Sequence, residues 1–436
     1  MAIFSRRDVQ AAIYQSKDCL TANQLKDLVG RLNGRPSGVL GAEWEAVVLA
    51  ALSNCGRISR VKHGGTKEPD VFFRMGQSGS LEFAADITTV SDAHAHEENP
   101  YEQFRNAIQR FLKKAGTSSA GLNFDIKHTE QGEYGNRKLR LALPAKAEMD
   151  SFVKTELGIF LSGIAKVPDT DAVCRYDQKG ICFSLRYDAK KKHVSSSRHS
   201  SYTVPYSLQK NTLSNALDDK RKQLKKSGYI GLKGVIVCDG GCDALNERSH
   251  VGGAFGCQDL VHDFLDSQSS ISWILVLRIE SMHSFLPHEK SIEIKPKLYW
   301  KRAENGGRFR DTASVFHRML EYLPQPEATP MNALHWLKGR NGNMGRPIGT
   351  VTMQDKAIKF SARVLTEVLA GKIDHKLILE DHDFKHVALF FERQLREGRT
   401  LRNSFVERDE HRDDDWIVLE YEGPDTALVP YRVPEQ

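Results

Sequence analysis

At 436 residues the chain is long for a single domain, and its 40% apolar and 27% charged residues are the balance of a globular protein, which excludes wholesale disorder. Seven scattered cysteines, an odd number, argue against a disulfide framework, and the longest apolar run, Ile271 to Ile279, falls far short of the ~20 residues of a membrane helix. The net charge of +6 is uneven: residues 188–226 hold ten Lys or Arg against three Asp or Glu, while the rest of the chain is near neutral.

The N-terminus, Met1 to Asp8, has no apolar secretory core, so a cytoplasmic location is expected. Two small helices are expected in residues 1–35, Arg7 to Tyr14 and Thr21 to Leu32, with Thr21 as the N-cap of the second. Gly34, Pro36 and Gly38 mark a boundary. A helix over Gly41 to Leu52 places Trp44, Val47, Val48 and Ala51 on one face, the spacing of a helix laid against a sheet. Strands are expected at Arg57 to Lys62, Val71 to Arg74 and Ser80 to Val90. The last alternates, with Leu81, Phe83, Ala85 and Ile87 on one face and Glu82, Ala84, Asp86 and Thr88 on the other.

Tyr101 to Lys114 reads as helix, Leu139 to Leu143 and Gly180 to Tyr187 as strands, Lys146 to Ile164 as helix, and Lys190 to Ser201 as an exposed loop. Asn211 to Lys226 is a helix feeding a buried strand, Gly234 to Cys238, and a helix over Gln258 to Ser267 leads to another, Trp273 to Ile279. Continuous apolar strands joined through a helix are the mark of a parallel pair covered on both faces. Leu298 to Lys301 adds an edge strand. Beyond it helical spacing recurs over Thr312 to Tyr322, Met331 to Leu337, Asp355 to Leu369 and Asp383 to Leu395, before an acidic group from Asp409 to Asp415.

Asp70, after Pro69, and Asp86 fall on neighbouring strands. Asp86 sits among Ala84, Ala85 and Ile87, where a carboxylate needs a partner to be buried. Two such carboxylates suit a hard divalent cation, which takes oxygen ligands; a lysine or a helix N-terminus is the other kind of partner. The helix over Asn211 to Lys226 supplies one such lysine. With Leu213 as origin at about 100° per residue, Ala216 falls at roughly 300°, Leu217 at 40° and Leu224 at 20°. Lys220 falls at roughly 340°, inside that apolar stripe and flanked by Gln223, whereas Lys222 lies on the far side. A lysine so placed either meets a carboxylate or phosphate or snorkels past the helix edge.

The order Glu45, Pro69-Asp70, Asp86-x-Thr88 resembles the PD-(D/E)xK, or restriction-endonuclease-like, superfamily of nucleases. A helix carrying Lys220-x-x-Gln223 into a buried strand is similar to the helix after the catalytic strand in many members. The resemblance implies an α/β fold, a restriction-endonuclease-like mixed sheet flanked by helices over residues 36–302, with 115–206 an insertion, 1–35 an N-terminal helical segment and 303–436 a mostly helical C-terminal region. Asp70 and Asp86 would hold Mg²⁺ or Mn²⁺ with the Ile87 carbonyl as a third ligand. Glu45 would hold a second metal or order waters, Glu43 being its open alternative. Thr88 stands where members usually carry a lysine, and Lys220 would replace it, orienting the attacking water or stabilising the pentavalent phosphate.

The implied activity is a metal-dependent endonuclease, with DNA favoured over RNA as substrate, in bacterial defence against foreign DNA, working as a homodimer or with a partner defence protein. The alternative is a nuclease fold without activity that binds nucleic acid or scaffolds a partner complex. The basic segment, through Lys190, Lys191, Lys192 and Arg198 together with Gln223, is the expected nucleic-acid contact.

Other groupings compete. Cys238, Cys242, His250, Cys257 and His262 have the residue types of a zinc site but no familiar spacing. Asp92, His94, His96, Glu97 and Glu98 form a solvated acidic loop, and the stretch Gly339 to Thr350 is a basic linker without the ending of a phosphate-binding loop.

Overall fold

The structure, a computed structural model, describes residues 3–34, 36–59, 66–75, 81–133, 137–191, 195–249, 251–267, 270–283, 290–301, 306–338, 349–351, 357–371, 382–408 and 415–425. Helices α1 (Arg6–Gln15), α2 (Ala22–Leu32) and α3 (Pro36–Ser53) come first. Thr21 caps α2 in a full capping box with Gln24. The boundary expected at Pro36 is instead the first residue of α3, a position where the missing N–H of proline is no loss. Nor is α3 one-sided. Ala42, Trp44 and every residue from Ala46 to Leu52 are buried, because the helix lies inside the core with other helices around it.

Strands β1 (Arg57–Ser59), β2 (Val71–Met75) and β3 (Leu81–Val90) follow as an antiparallel meander. After helix α4 (Ala93–Glu98) the chain enters an inserted unit that opens with α5 (Tyr101–Lys114). It contains β4 (Leu122–Ile126), β5 (His128–Gln131), β6 (Lys138–Leu141), α6 (Met149–Glu156), α7 (Gly158–Lys166), β7 (Ala172–Gln178), β8 (Ile181–Tyr187) and β9 (Ser196–Arg198). The single helix expected over 146–164 is broken at Leu157. The exposed loop expected at 190–201 contains β9, whose backbone pairs parallel with β4 while its polar side chains stay in water, so no apolar alternation announced it. The insertion begins earlier than residue 115: Phe104, Ile108 and Leu112 of α5 pack with Phe124, Phe183 and Leu185 in a core separate from that of the main sheet.

The chain returns with α8 (Thr212–Lys226), β10 (Leu232–Asp239), α9 (Cys257–Ser267), β11 (Trp273–His283) and β12 (Lys290–Trp300). The main sheet has the order β1-β2-β3-β10-β11-β12; β10 is parallel to β3 and β11, and the other pairings are antiparallel. It is a mixed sheet flanked by helices, in a mixed α/β protein. One face, with Phe73, Phe83, Ala85 and Ile87, packs on α1, α2 and α3; the other, with Phe72, Ala84, Val235 and Val237, packs on α8 and α9. Gly234 sits beside Trp273, and a Cβ there would overlap the indole ring, so the close approach needs glycine.

Helices α10 (Gly306–Glu321) and α11 (Pro330–Lys338) bury Val315, Phe316, Met319 and Ala333 in the α3 side of this core, so the boundary expected at 303 lies inside the main body. Beyond them the described region holds strands as well as helices. With α12 (Ala362–Leu369) and α13 (His382–Arg396) it carries β13 (Gly349–Val351), β14 (Ala357–Ser361), β15 (Arg399–Glu407) and β16 (Trp416–Pro424), an antiparallel sheet of order β13-β14-β16-β15. The exposed edge strand β15 needs little apolar patterning, which hid it from the sequence reading. No helix among the described residues is long and apolar enough to cross a membrane.

Candidate active site

Alternation along β3 sends Phe83, Ala85 and Ile87 toward α3 and leaves Asp86 on the face that α8 covers. Register sets Val71 opposite Ala85, so Asp70, one residue before β2, stands beside Asp86. The two acids interlock: the Asp70 N–H donates to Asp86 Oδ1 at 2.9 Å, and the Ile87 N–H donates to Asp70 Oδ2 at 2.9 Å. The segment leading to Asp70 is held from two sides. The Thr66 N–H donates to the Lys226 carbonyl at the end of α8 (2.9 Å), and Gln24 Nε2 of α2 donates to Glu68 Oε2 (3.2 Å).

Lys220 reaches this pair from α8. It lies between Leu217 and Leu224, both without exposure, and its Nζ donates to Asp70 Oδ2 at 3.0 Å. Gln223, expected at nucleic acid, accepts from Nζ at 3.4 Å and so helps to fix the ammonium. Burial pulls the Lys220 ammonium down, but the charges of Asp70 and Asp86, the hydrogen bond to Asp70 and the charge of Glu45 outweigh it and hold its pKa above the ordinary lysine value. Lys220 is therefore a cation at neutral pH.

The choice between the two glutamates of α3 is made by packing. Glu43 is buried and accepts the Ile3 N–H at 2.8 Å, fastening the N-terminal segment. Glu45 lies close enough to act on Lys220, and its Oε2 accepts from Arg31 Nη1 of α2 at 2.7 Å. Arg31 was missed in the sequence. Its only local signal is the spacing from Asp27, with which it also pairs at 3.0 Å.

Ile87 enters the site through its backbone N–H. Asp70 and Asp86 together offer the oxygen donors that a hard cation takes. No group of three or more His, Cys, Asp or Glu side chains is gathered for a metal among the described residues. A cation here would rest on these two carboxylates, a backbone oxygen and water, a donor set that fits Mg²⁺.

The remaining candidates lie elsewhere. Lys190, Lys191 and Arg198 are exposed on the inserted unit, with Lys191 paired to Asp188 at 3.7 Å, and Lys192 lies outside the described residues. The cysteine and histidine grouping does not converge: Cys238 is buried within β10, the Cys242 thiol donates to Asp92 Oδ1 at 3.2 Å, His262 stacks edge-on against Tyr299, and His250 lies outside the described residues. The acidic loop after β3 is the helix α4, and Asp92 before it is buried, accepting the Asp243 N–H at 2.7 Å. Residues 339–348 and 409–414, which include most of the basic linker and of the acidic group, also lie outside the described residues.

No family model, curated protein or solved structure matches the chain.

Proposed function

We propose that the chain is a metal-dependent nuclease of the restriction-endonuclease-like kind that hydrolyses phosphodiester bonds, with DNA as the favoured substrate. The observation that carries this reading is the meeting of Lys220 with Asp70 and Asp86, from segments 150 residues apart. Asp70 and Asp86 would hold Mg²⁺ or Mn²⁺ with the Ile87 carbonyl. When bound, the metal supplies an activated water and a clamp on phosphate oxygens. The protein's own part is electrostatic. Lys220, kept as an ammonium, cannot accept a proton from water; it donates to the attacking water or to the phosphate oxygens as their charge grows. Asp70 and Asp86, each bonded to the backbone of the neighbouring strand, keep their oxygens in place without rearrangement. A role in bacterial defence rests on the resemblance alone.

Purified protein incubated with plasmid, single-stranded DNA and RNA should cleave DNA with Mg²⁺ or Mn²⁺ and not with EDTA. Asp70→Ala and Asp86→Ala should each abolish cleavage while the protein remains folded by circular dichroism. Full activity in either variant removes the assignment.

A second reading, a nuclease fold without activity, is favoured by Thr88 at the usual lysine position and by the commitment of Asp70 Oδ2 to two donors. It expects nucleic-acid binding with no metal uptake by calorimetry.

A further inference from the structure

Helix α2, assigned by sequence to a segment outside the nuclease domain, runs along the site. Gln24 holds Glu68 just before Asp70, and two helical turns later Arg31 holds Glu45. The Arg31 guanidinium donates from Nη1 to Glu45 Oε2 at 2.7 Å and from Nε to Asp27 Oδ2 at 3.0 Å. These bonds use two of its five N–H donors, and among the described residues the other three have no acceptor. Its side chain is 38% exposed, whereas that of Glu45 is 12% exposed, so the acid is covered and the cation is accessible. Glu45, the acid that Arg31 holds, in turn acts electrostatically on Lys220, and through this one carboxylate Arg31 is linked to the site.

We propose that Arg31 is a phosphate contact of this site and that Glu45 positions Arg31 rather than holding a second metal. A guanidinium fork matches the oxygens of a phosphate, and one already locked by two carboxylates loses little freedom when it binds. A second metal at Glu45 would have to displace a charge-assisted bond of 2.7 Å. The ligand class is a phosphodiester strand, held by its backbone and not by its bases. The proposal rests on the nuclease reading and names the substrate contact that reading lacks.

The test is binding of a fluorescent oligonucleotide, single-stranded and duplex, by the full chain in EDTA, followed by anisotropy over a salt series. Arg31→Gln should weaken binding about tenfold, as for loss of a charge-assisted hydrogen bond. It should also lower the slope of log K against log salt by about 0.9 for duplex or about 0.7 for single strand, the value of one phosphate contact. Arg31→Lys should keep the slope and lose part of the affinity. Glu45→Gln, which loosens Arg31 without removing its charge, should weaken binding and keep the slope.

Wild-type affinity and slope in Arg31→Gln overturn the proposal. So does lost affinity with an unchanged slope, which would make Arg31 a structural link between α2 and α3. If thermal melts show that Arg31→Gln does not fold, Arg31→Lys decides, and wild-type affinity in it overturns the bidentate contact. Wild-type protein that binds neither oligonucleotide brings down the nuclease reading and this proposal together. Wild-type protein that binds and cleaves beside an unaffected Arg31→Gln removes the Arg31 contact alone.

Discussion

Lys220 lies in a stripe with Leu213, Leu217 and Leu224, which have no exposure, and burial by itself would lower its pKa. The carboxylates around it reverse that outcome, so its value to the site is its charge. Lys220→Met keeps the apolar stem and removes the charge. It should lower cleavage by on the order of a hundredfold or more, as when a preorganised donor is lost, while metal uptake measured by calorimetry persists. Lys222, exposed and paired with Asp218 at 2.7 Å on the far side of the helix, should tolerate alanine with turnover nearly intact. Equal losses in both variants would count against a chemical role for Lys220.

Asp92 shows burial winning instead. Desolvation raises its carboxyl to about 6, against the hydrogen bonds from Asp243 and Cys242 that favour the charged form. A raised folded pKa means that its contribution to stability is full below about pH 4 and is lost as pH rises through about 6. Asp92→Asn removes this titration. The stability of wild type relative to Asp92→Asn should therefore fall by up to about 3 kcal/mol between pH 4 and 7 and then level off, as read by urea unfolding. A difference independent of pH would show that the carboxyl titrates alike in folded and unfolded chains.

Among the elements, α5 decides where the insertion begins. Its buried face, Phe104, Ala107, Ile108 and Leu112, closes the core that Phe124, Phe183 and Leu185 share, and Asn99 Oδ1 before it accepts the Leu141 N–H at 2.8 Å. A fragment spanning 99–206 should unfold cooperatively in urea with fixed near-ultraviolet circular dichroism. One spanning 115–206 should lack both signals, because losing four buried side chains at about 1–3 kcal/mol each exceeds the margin of a small domain. Cooperative unfolding of the shorter fragment would return α5 to the main body.

Across the whole molecule, the charge excess of residues 188–226 is smaller than its count. Lys220 is committed to Asp70, and Arg221 and Lys222 to Asp218, whereas Lys190, Arg198, Lys210, Lys225 and Lys226 are exposed and have no ion pair among the described residues. Backbone contacts to a polyanion should come from this second group. Replacing Lys190 and Arg198 by alanine should flatten the salt dependence of oligonucleotide binding by up to about 0.9 log units for each phosphate that the two side chains neutralise. An unchanged slope assigns that edge of the inserted unit to solvent.

The period of two along β3 was enough to set Asp86 apart from Phe83, Ala85 and Ile87, and the helical period was enough to aim Lys220 into the apolar stripe of α8. Both are local regularities, written within a dozen residues. The tertiary structure decided what no local period encodes. It assigned Glu43 to Ile3 and left Glu45 to Arg31, placed α2 along the site and α5 in the inserted unit, and built a sheet with an exposed edge strand in the C-terminal region. Those choices depend on contacts between segments far apart in the chain. Each is set by which buried surfaces and charges meet when the layers pack, and a side chain's own neighbours in sequence carry no record of that.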